Sequence, residues 1–176
     1  MNKNCKESKI IKCNKCSISC NQKPLVENMR KADIMFLGIS AKIKEKEDEM
    51  PLSENTNSGK LIKMIEERLL EKNNNLLCYK SNMVKCVPLN EKGKIRYPDS
   101  LEIKNCIDNL VYELSIVKPK VVVLLGRLVE KHLKKKINEL GYNNITIHHP
   151  SYIHVYRKKE IEKYVEESSK NILKYV

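Results

Sequence analysis

At 176 residues the chain is long enough to bury a real core and short enough to form one domain. Its 34 Lys and Arg against 22 Asp and Glu give a formal charge of +12, which favours a polyanionic partner over an acidic one, although a Lys-rich composition also follows from AT-rich coding. No apolar run reaches the ~20 residues that cross a bilayer, and Met1 to Cys5 lacks the apolar core of a secretion signal, so the expectation is a cytoplasmic protein with no membrane partner.

Residues 1 to 23 carry Cys5, Cys13, Cys16 and Cys20 among Lys, Asn and Ser, with little to make a core. Seven cysteines, an odd number, in a reducing compartment point to metal ligation or thiol chemistry rather than to disulfides. Cys13-Asn14-Lys15-Cys16 is a C-x2-C knuckle whose thiolates can face one metal, and a bound metal would order a short polar segment. Cys86 and Cys106, further along, sit at structured positions that could complete such a site.

Ala32 to Ser40 is a near-continuous apolar run containing Gly38, the pattern of a parallel strand covered on both faces. A long polar loop follows, with Glu45, Glu47, Asp48 and Glu54 among its carboxylates. Ser58 then offers a cap for a helix striped by Leu61, Ile62, Ile65 and Leu69. Beyond Asn73-Asn74-Asn75, Leu76 to Val84 reads as a second strand, and Leu89 to Tyr97 as a polar loop. Pro98-Asp99-Ser100 opens a helix with Ile103, Ile107, Leu110, Val111 and Leu114 on one face and Cys106 in its early turns. Lys118-Pro119-Lys120 ends it, and Val121 to Gly126 is the clearest buried strand; Gly126 lets the backbone turn into a helix bearing Leu128, Val129, Leu133 and Ile137. Ile145 to Ile147 makes a last short strand ending on His148 and His149, Pro150 forces the chain out of the sheet, and a final helix spans roughly 159 to 175. This alternation predicts an α/β fold, a three-layer α/β/α arrangement around a four-stranded mostly parallel sheet, within a single domain over 1–176.

The strand before Pro150 delivers an imidazole to the carboxyl edge of the sheet, where ligands bind in open α/β folds and where an N–H can meet developing negative charge. Tyr152, Ile153, Tyr156, Arg157 and Lys158 follow in what reads as a loop, mixing apolar, aromatic and cationic groups as a nucleic-acid contact would. On these residues alone, a loop with a structural histidine pair accounts for the stretch equally well.

Several pieces taken in order carry a resemblance: C-x2-C, a strand ending in a Gly motif, Ser81-Asn82-Met83-Val84-Lys85-Cys86, a cysteine in the next helix, Lys118 to Gly126, and His149-Pro150-Ser151. Together they resemble the uracil-DNA glycosylase superfamily, closest to its iron-sulfur branch, the family 4 type, over nearly the whole chain. The resemblance implies a DNA glycosylase acting as a monomer on DNA. It also implies a structural [4Fe-4S] cluster on Cys13, Cys16, Cys86 and Cys106, although four thiolates by themselves suit zinc as well. Asn82 matches the asparagine that reads the flipped base, since a carboxamide can accept from N3–H of uracil and donate to O4. His149 matches the histidine that stabilises charge at O2, with His148 beside it as the structural neighbour. Gly38, Ile39 and Leu52 fall at base-contacting positions. Ser151, Tyr152, Ile153, Arg157 and Lys158 fall in the DNA-contacting region, where Tyr152 and Ile153 are the candidates for insertion into the duplex. Cys5, Cys20 and Cys78 have no counterpart, and Cys78 reads as core.

The chain departs from the family 4 pattern in two places. Gly-Glu-Ala-Pro-Gly is replaced by Gly38-Ile39-Ser40-Ala41-Lys42, so the motif carboxylate is absent and Ser40 is the group left near the water, unless Glu45, Glu47, Asp48 or Glu54 substitutes. Pro-Phe appears as Pro51-Leu52, so the stacking aromatic is missing as well. Two expectations follow: an excising enzyme with His149 and Ser40 as its catalytic groups, or an iron-sulfur nucleic-acid-binding protein on the same scaffold with lost or altered catalysis.

Overall fold

A computed structural model describes residues 9–176, so Cys5 lies outside the described residues. In chain order the elements are β1 (Ile34–Ser40), α1 (Asn57–Lys72), β2 (Cys78–Val84), α2 (Ser100–Val117), β3 (Val121–Leu125), α3 (Arg127–Glu139), β4 (Asn143–Ile147), α4 (Pro150–Tyr156) and α5 (Ile161–Ile172). Short 3-10 turns at Ser17–Cys20, Lys158–Glu160 and Leu173–Tyr175 complete them. The sheet runs β2-β1-β3-β4, and every pairing is parallel rather than mostly so.

Alternation along β1 and β3 builds the three layers. Met35, Leu37, Val122 and Leu124 face one side, where they join Leu110 and Leu114 of α2 and Val129 and Leu133 of α3. Ile34, Phe36, Val121, Val123 and Leu125 face the other, against Leu61, Ile65 and Leu69 of α1 and Val165 and Ile172 of α5. Because β1 and β3 are buried on both faces, they carry few polar side chains, which is why they read so plainly in the sequence. The order also makes the chain leave β1 toward β2 and return to β3 on its other side. Such a switch point opens a crevice at the carboxyl ends of the strands.

Three local expectations are corrected. Thr56, not Ser58, caps α1: its hydroxyl accepts from Gly59 N–H at 2.9 Å, and Gly59 lies so close to the loop that a Cβ there would sit 1.8 Å from the Ser53 carbonyl oxygen. Residues 150 to 156 form a helix rather than a loop, with Pro150 at its first position, where the missing N–H costs nothing. Ile153 points inward from that helix, only 2% exposed, and packs with Ile147 and Tyr164, so it is core and not a group presented to DNA.

Candidate active site

A cleft of about 540 Å³ opens at the carboxyl edge of the sheet, walled by the ends of β1, β2 and β4 and by the loop before α1. Asn82 from β2 and His149 after β4 both line it, together with Gly38, Ile39, Ser40, Leu52 and Ser151. Two glycines make room for the two polar side chains. Gly38 is the register partner of Asn82, and a Cβ on it would lie 2.5 Å from Asn82 Oδ1. Gly126, with φ near +94°, turns the chain beneath His149, whose Cβ would lie 2.9 Å from an added methyl.

His149 is the N-cap of α4. Because Pro150 has no N–H, the first free donor of the helix is Ser151 N, and it donates to His149 Nδ1 at 3.2 Å. A ring nitrogen that accepts carries no proton, so in the neutral imidazole the proton rests on Nε2 and is free to be donated. Burial pushes the His149 pKa below its ordinary value, which favours that neutral form. Ser151 Oγ is hydrogen-bonded to Ser58 Oγ at 2.7 Å, pinning the start of α4 to the start of α1.

Asn82 is held from behind. Lys85 and Glu113 form an ion pair with both side chains fully buried. Lys85 Nζ also donates to the Asn82 carbonyl oxygen at 2.7 Å and to Ser81 Oγ at 2.6 Å. Ser81 and Tyr79 hydroxyls donate in turn to Glu113 at 2.8 Å and 2.7 Å, so the buried charges have a full set of partners. Burial, with Glu113 adjacent, pushes the Tyr79 phenol far above its usual range, keeping it a donor.

The same Lys85 touches the cysteines: its backbone N–H donates to Cys106 Sγ at 3.4 Å. Cys13, Cys16, Cys86 and Cys106 ring one small cavity between the N-terminal segment, the end of β2 and α2. Asn109 Nδ2 lies 3.3 Å from Cys13 Sγ and 3.9 Å from Cys106 Sγ, supplying an amide donor between two sulfurs. Burial raises the thiol pKa of Cys16 and Cys106 and pushes that of Cys86 up to about 12. Among the described residues no three His, Cys, Asp or Glu side chains meet as a ready single-ion site. Cys20 is exposed and off the ring, and Cys78, half-buried against the α1 layer, has its thiol raised to about 12 by burial, as a core cysteine would.

Other candidate residues do not line the cleft. Tyr152, Arg157 and Lys158 lie outside the cleft on or just after α4, and Arg157 pairs with Glu160 at 3.0 Å. None of Glu45, Glu47, Asp48 and Glu54 lines the cleft. The buried carboxylate of that loop is Glu49 instead. Burial alone would raise its pKa, but Lys42, the Ser53 hydroxyl and the Glu45 amide hold it down at about 2, so it fastens the loop and is a poor proton acceptor. Lys42 Nζ, shut off from solvent, meets Glu49 Oε1 at 2.6 Å. Asn57, Arg96 and Tyr97 also line the cleft without having stood out in the sequence. Arg96 is locked by a bidentate pair with Glu102, itself in the capping box of α2, and that lock carries Tyr97, 72% exposed, to the rim.

Comparison with known proteins places this geometry in context. The family model described as Uracil DNA glycosylase superfamily matches residues 26–172. A Type-4 uracil-DNA glycosylase from Sulfurisphaera tokodaii is 33% identical over 160 residues, covering 88% of this chain and 68% of that protein. The crystal structure of Pedobacter heparinus SMUG2 superposes with a TM-score of 0.59 over 83% of this chain and 76% of that one, at 15% identity, a likeness of fold.

Proposed function

The chain belongs to the uracil-DNA glycosylase superfamily, and on that premise we propose that it flips uracil, or a related modified base, out of DNA and hydrolyses its N-glycosidic bond. The observation that carries this reading is that Asn82 and His149, distant in sequence, line one cleft. In the reaction the bond from C1′ to N1 breaks and its electron pair moves onto the base, so negative charge gathers at O2. His149 Nε2–H donates to that oxygen, which lowers the cost of the departing anion. Water adds to the oxocarbenium-like carbon and gives up a proton to solvent, the departing anion takes one up from solvent at N1, and free base and an abasic site result. The Ser40 hydroxyl orients that water, and the Asn82 carboxamide tests N3–H and O4, a pair that cytosine presents reversed. Gly38 and Ile39 contribute backbone to the base pocket, and Leu52 with Tyr97 at the rim offers apolar cover for the ring.

Cys13, Cys16, Cys86 and Cys106 would hold a [4Fe-4S] cluster. Four thiols lining one cavity, with N–H donors from Asn109 and Lys85 already on Cys13 and Cys106, suit a cluster whose four irons would each take one thiolate and whose sulfurs are tuned by such donors. Such a cluster would supply no chemistry to excision; it would tie the N-terminal segment to β2 and α2. Ser151 anchors the backbone near the cleft, Arg157 and Lys158 meet phosphates, and the whole chain works as one monomeric domain on DNA.

The second reading, a DNA-binding protein with altered catalysis, draws on the cleft lining, which contains no Asp or Glu. Incubation with oligonucleotides holding uracil opposite G, opposite A or in a single strand, followed by alkali, separates the two. Cleavage lost in His149→Ala and Asn82→Ala supports excision. Binding without cleavage on every substrate sinks it.

A further inference from the structure

Helix α4 has two faces with different tasks. Pro150 and Ile153 point into the core, while Tyr152 and Tyr156, four apart, fall on the outer face, and exposed His148 precedes the cap at the same end. Their rings form a ladder: His148 to Tyr152 at 5.7 Å and 30°, then Tyr152 to Tyr156 at 5.4 Å and 41°. The ladder grows more open along its length, Tyr152 being 45% and Tyr156 75% exposed, so the last ring has free surface. The contact between the two tyrosines steadies a short helix, but it leaves most of Tyr156 uncovered by the fold.

The surroundings name the kind of partner. His149 lines both the cleft and a second hollow of about 710 Å³, whose wall includes His148 and Tyr152 with Arg127 offset by Glu130 and Glu167, so the ladder begins where the cleft ends and the unbalanced cations lie at its far end. Arg157, Lys158 and Lys159 follow Tyr156 directly and are exposed, in a chain whose formal charge is +12. Aromatic rings beside cations suit a strand that offers both bases and phosphates. Duplex bases already stack on one another and have no face to spare, whereas unpaired bases do.

We propose that the His148–Tyr152–Tyr156 ladder is a stacking surface for unpaired bases, which makes single-stranded DNA the preferred substrate form of the cleft beside it. This rests on the reading of that cleft as a site for DNA and goes beyond it: Tyr152 is one step of a platform rather than a wedge driven into a duplex. A nucleotide turned into the cleft would leave its neighbours in the strand lying over α4, with phosphates toward the cations at its end.

The test uses the full chain and a uracil-free oligonucleotide, single-stranded or annealed to its complement, with binding followed by fluorescence anisotropy and 2-aminopurine in the strand as a stacking reporter. Tyr156→Ala should weaken single-strand binding by roughly 5- to 100-fold, the range for losing one base–aromatic stack, with duplex binding within about twofold. Tyr156→Phe should bind as the parent does. The parent should quench 2-aminopurine and Tyr156→Ala should not. Equal loss on both DNA forms, as a wedge or a general phosphate contact would give, overturns the proposal, as does no loss on either. Because these DNAs contain no uracil, a failure to excise leaves this result untouched, and intact excision with an inert ladder overturns the ladder alone.

Discussion

Replacing Gly38 by Ala tests whether Asn82 is aimed by its neighbour across the β1–β2 pairing. The added Cβ would lie 2.5 Å from Asn82 Oδ1 and 3.3 Å from Leu52 Cδ2. Non-bonded Cβ contacts under 3.0 Å essentially never occur, so the carboxamide must retreat by at least the difference, about 0.5 Å. Asn82 is 3% exposed and its carbonyl is held by Lys85, so the side chain rather than the strand gives way. A displaced carboxamide loses one or both hydrogen bonds to the base, each about 0.5–1.5 kcal/mol. The excision rate should therefore fall roughly 2- to 150-fold. Stability should hardly change, because Gly38 is not in a left-handed conformation and Ala in such a place is neutral or mildly stabilising. The assay is single-turnover release of uracil from an oligonucleotide, with thermal unfolding as a control. Since the effect acts through Asn82, Gly38→Ala should add almost nothing in an Asn82→Ala background. Parent-like excision by Gly38→Ala with unchanged melting would refute the argument.

His149→Gln should lower excision about 100-fold or more while leaving DNA binding within a fewfold, measured by single-turnover kinetics and anisotropy. Burial depresses the His149 pKa, so the acid limb of the excision profile should lie below the ordinary histidine value of ~6.5 and vanish in that variant. The sign for stability follows: the unfolded chain takes up this proton first, so the His149 contribution is present above ~6.5 and is lost as pH falls toward the depressed folded value. Lys85→Met strands the Glu113 carboxylate, and chemical denaturation should register a loss of about 3–5 kcal/mol, largely restored in Lys85→Met/Glu113→Leu. Cys86→Ser should give colourless, poorly folded protein, whereas the parent absorbs near ~400 nm; a parent containing zinc and no such band would refute the cluster. Tyr97→Ala should raise KM with little change in kcat, as loss of an open stacking face at the rim predicts.

The parts of the molecule that local chemistry decides were legible in the residue order. β1 and β3 declare themselves because burial on both faces forbids polar side chains, Gly126 because a left-handed turn admits little else, and Asp99 because it caps a helix of ordinary length. Asn82, His149, Gly38, Ser40 and Leu52 were nameable from their motifs, and they meet in one cleft. What the order could not say is where a short element points. Helix α4 is 7 residues long, under two turns, so no periodicity announces it, and only its docking on α1 and α5 sends Ile153 inward while leaving Tyr156 in solvent. Glu49 looks like its neighbours in a charged loop until the fold closes Lys42 and Ser53 around it. Lys85 and Glu113 are 28 positions apart and Asn109 is 96 from Cys13, so their contacts exist only once α2 lies against β2 and the N-terminal segment. Residue type sets what each group can do, and packing sets which groups meet and which stay wet, because burial and partnership arise between segments that no local window contains.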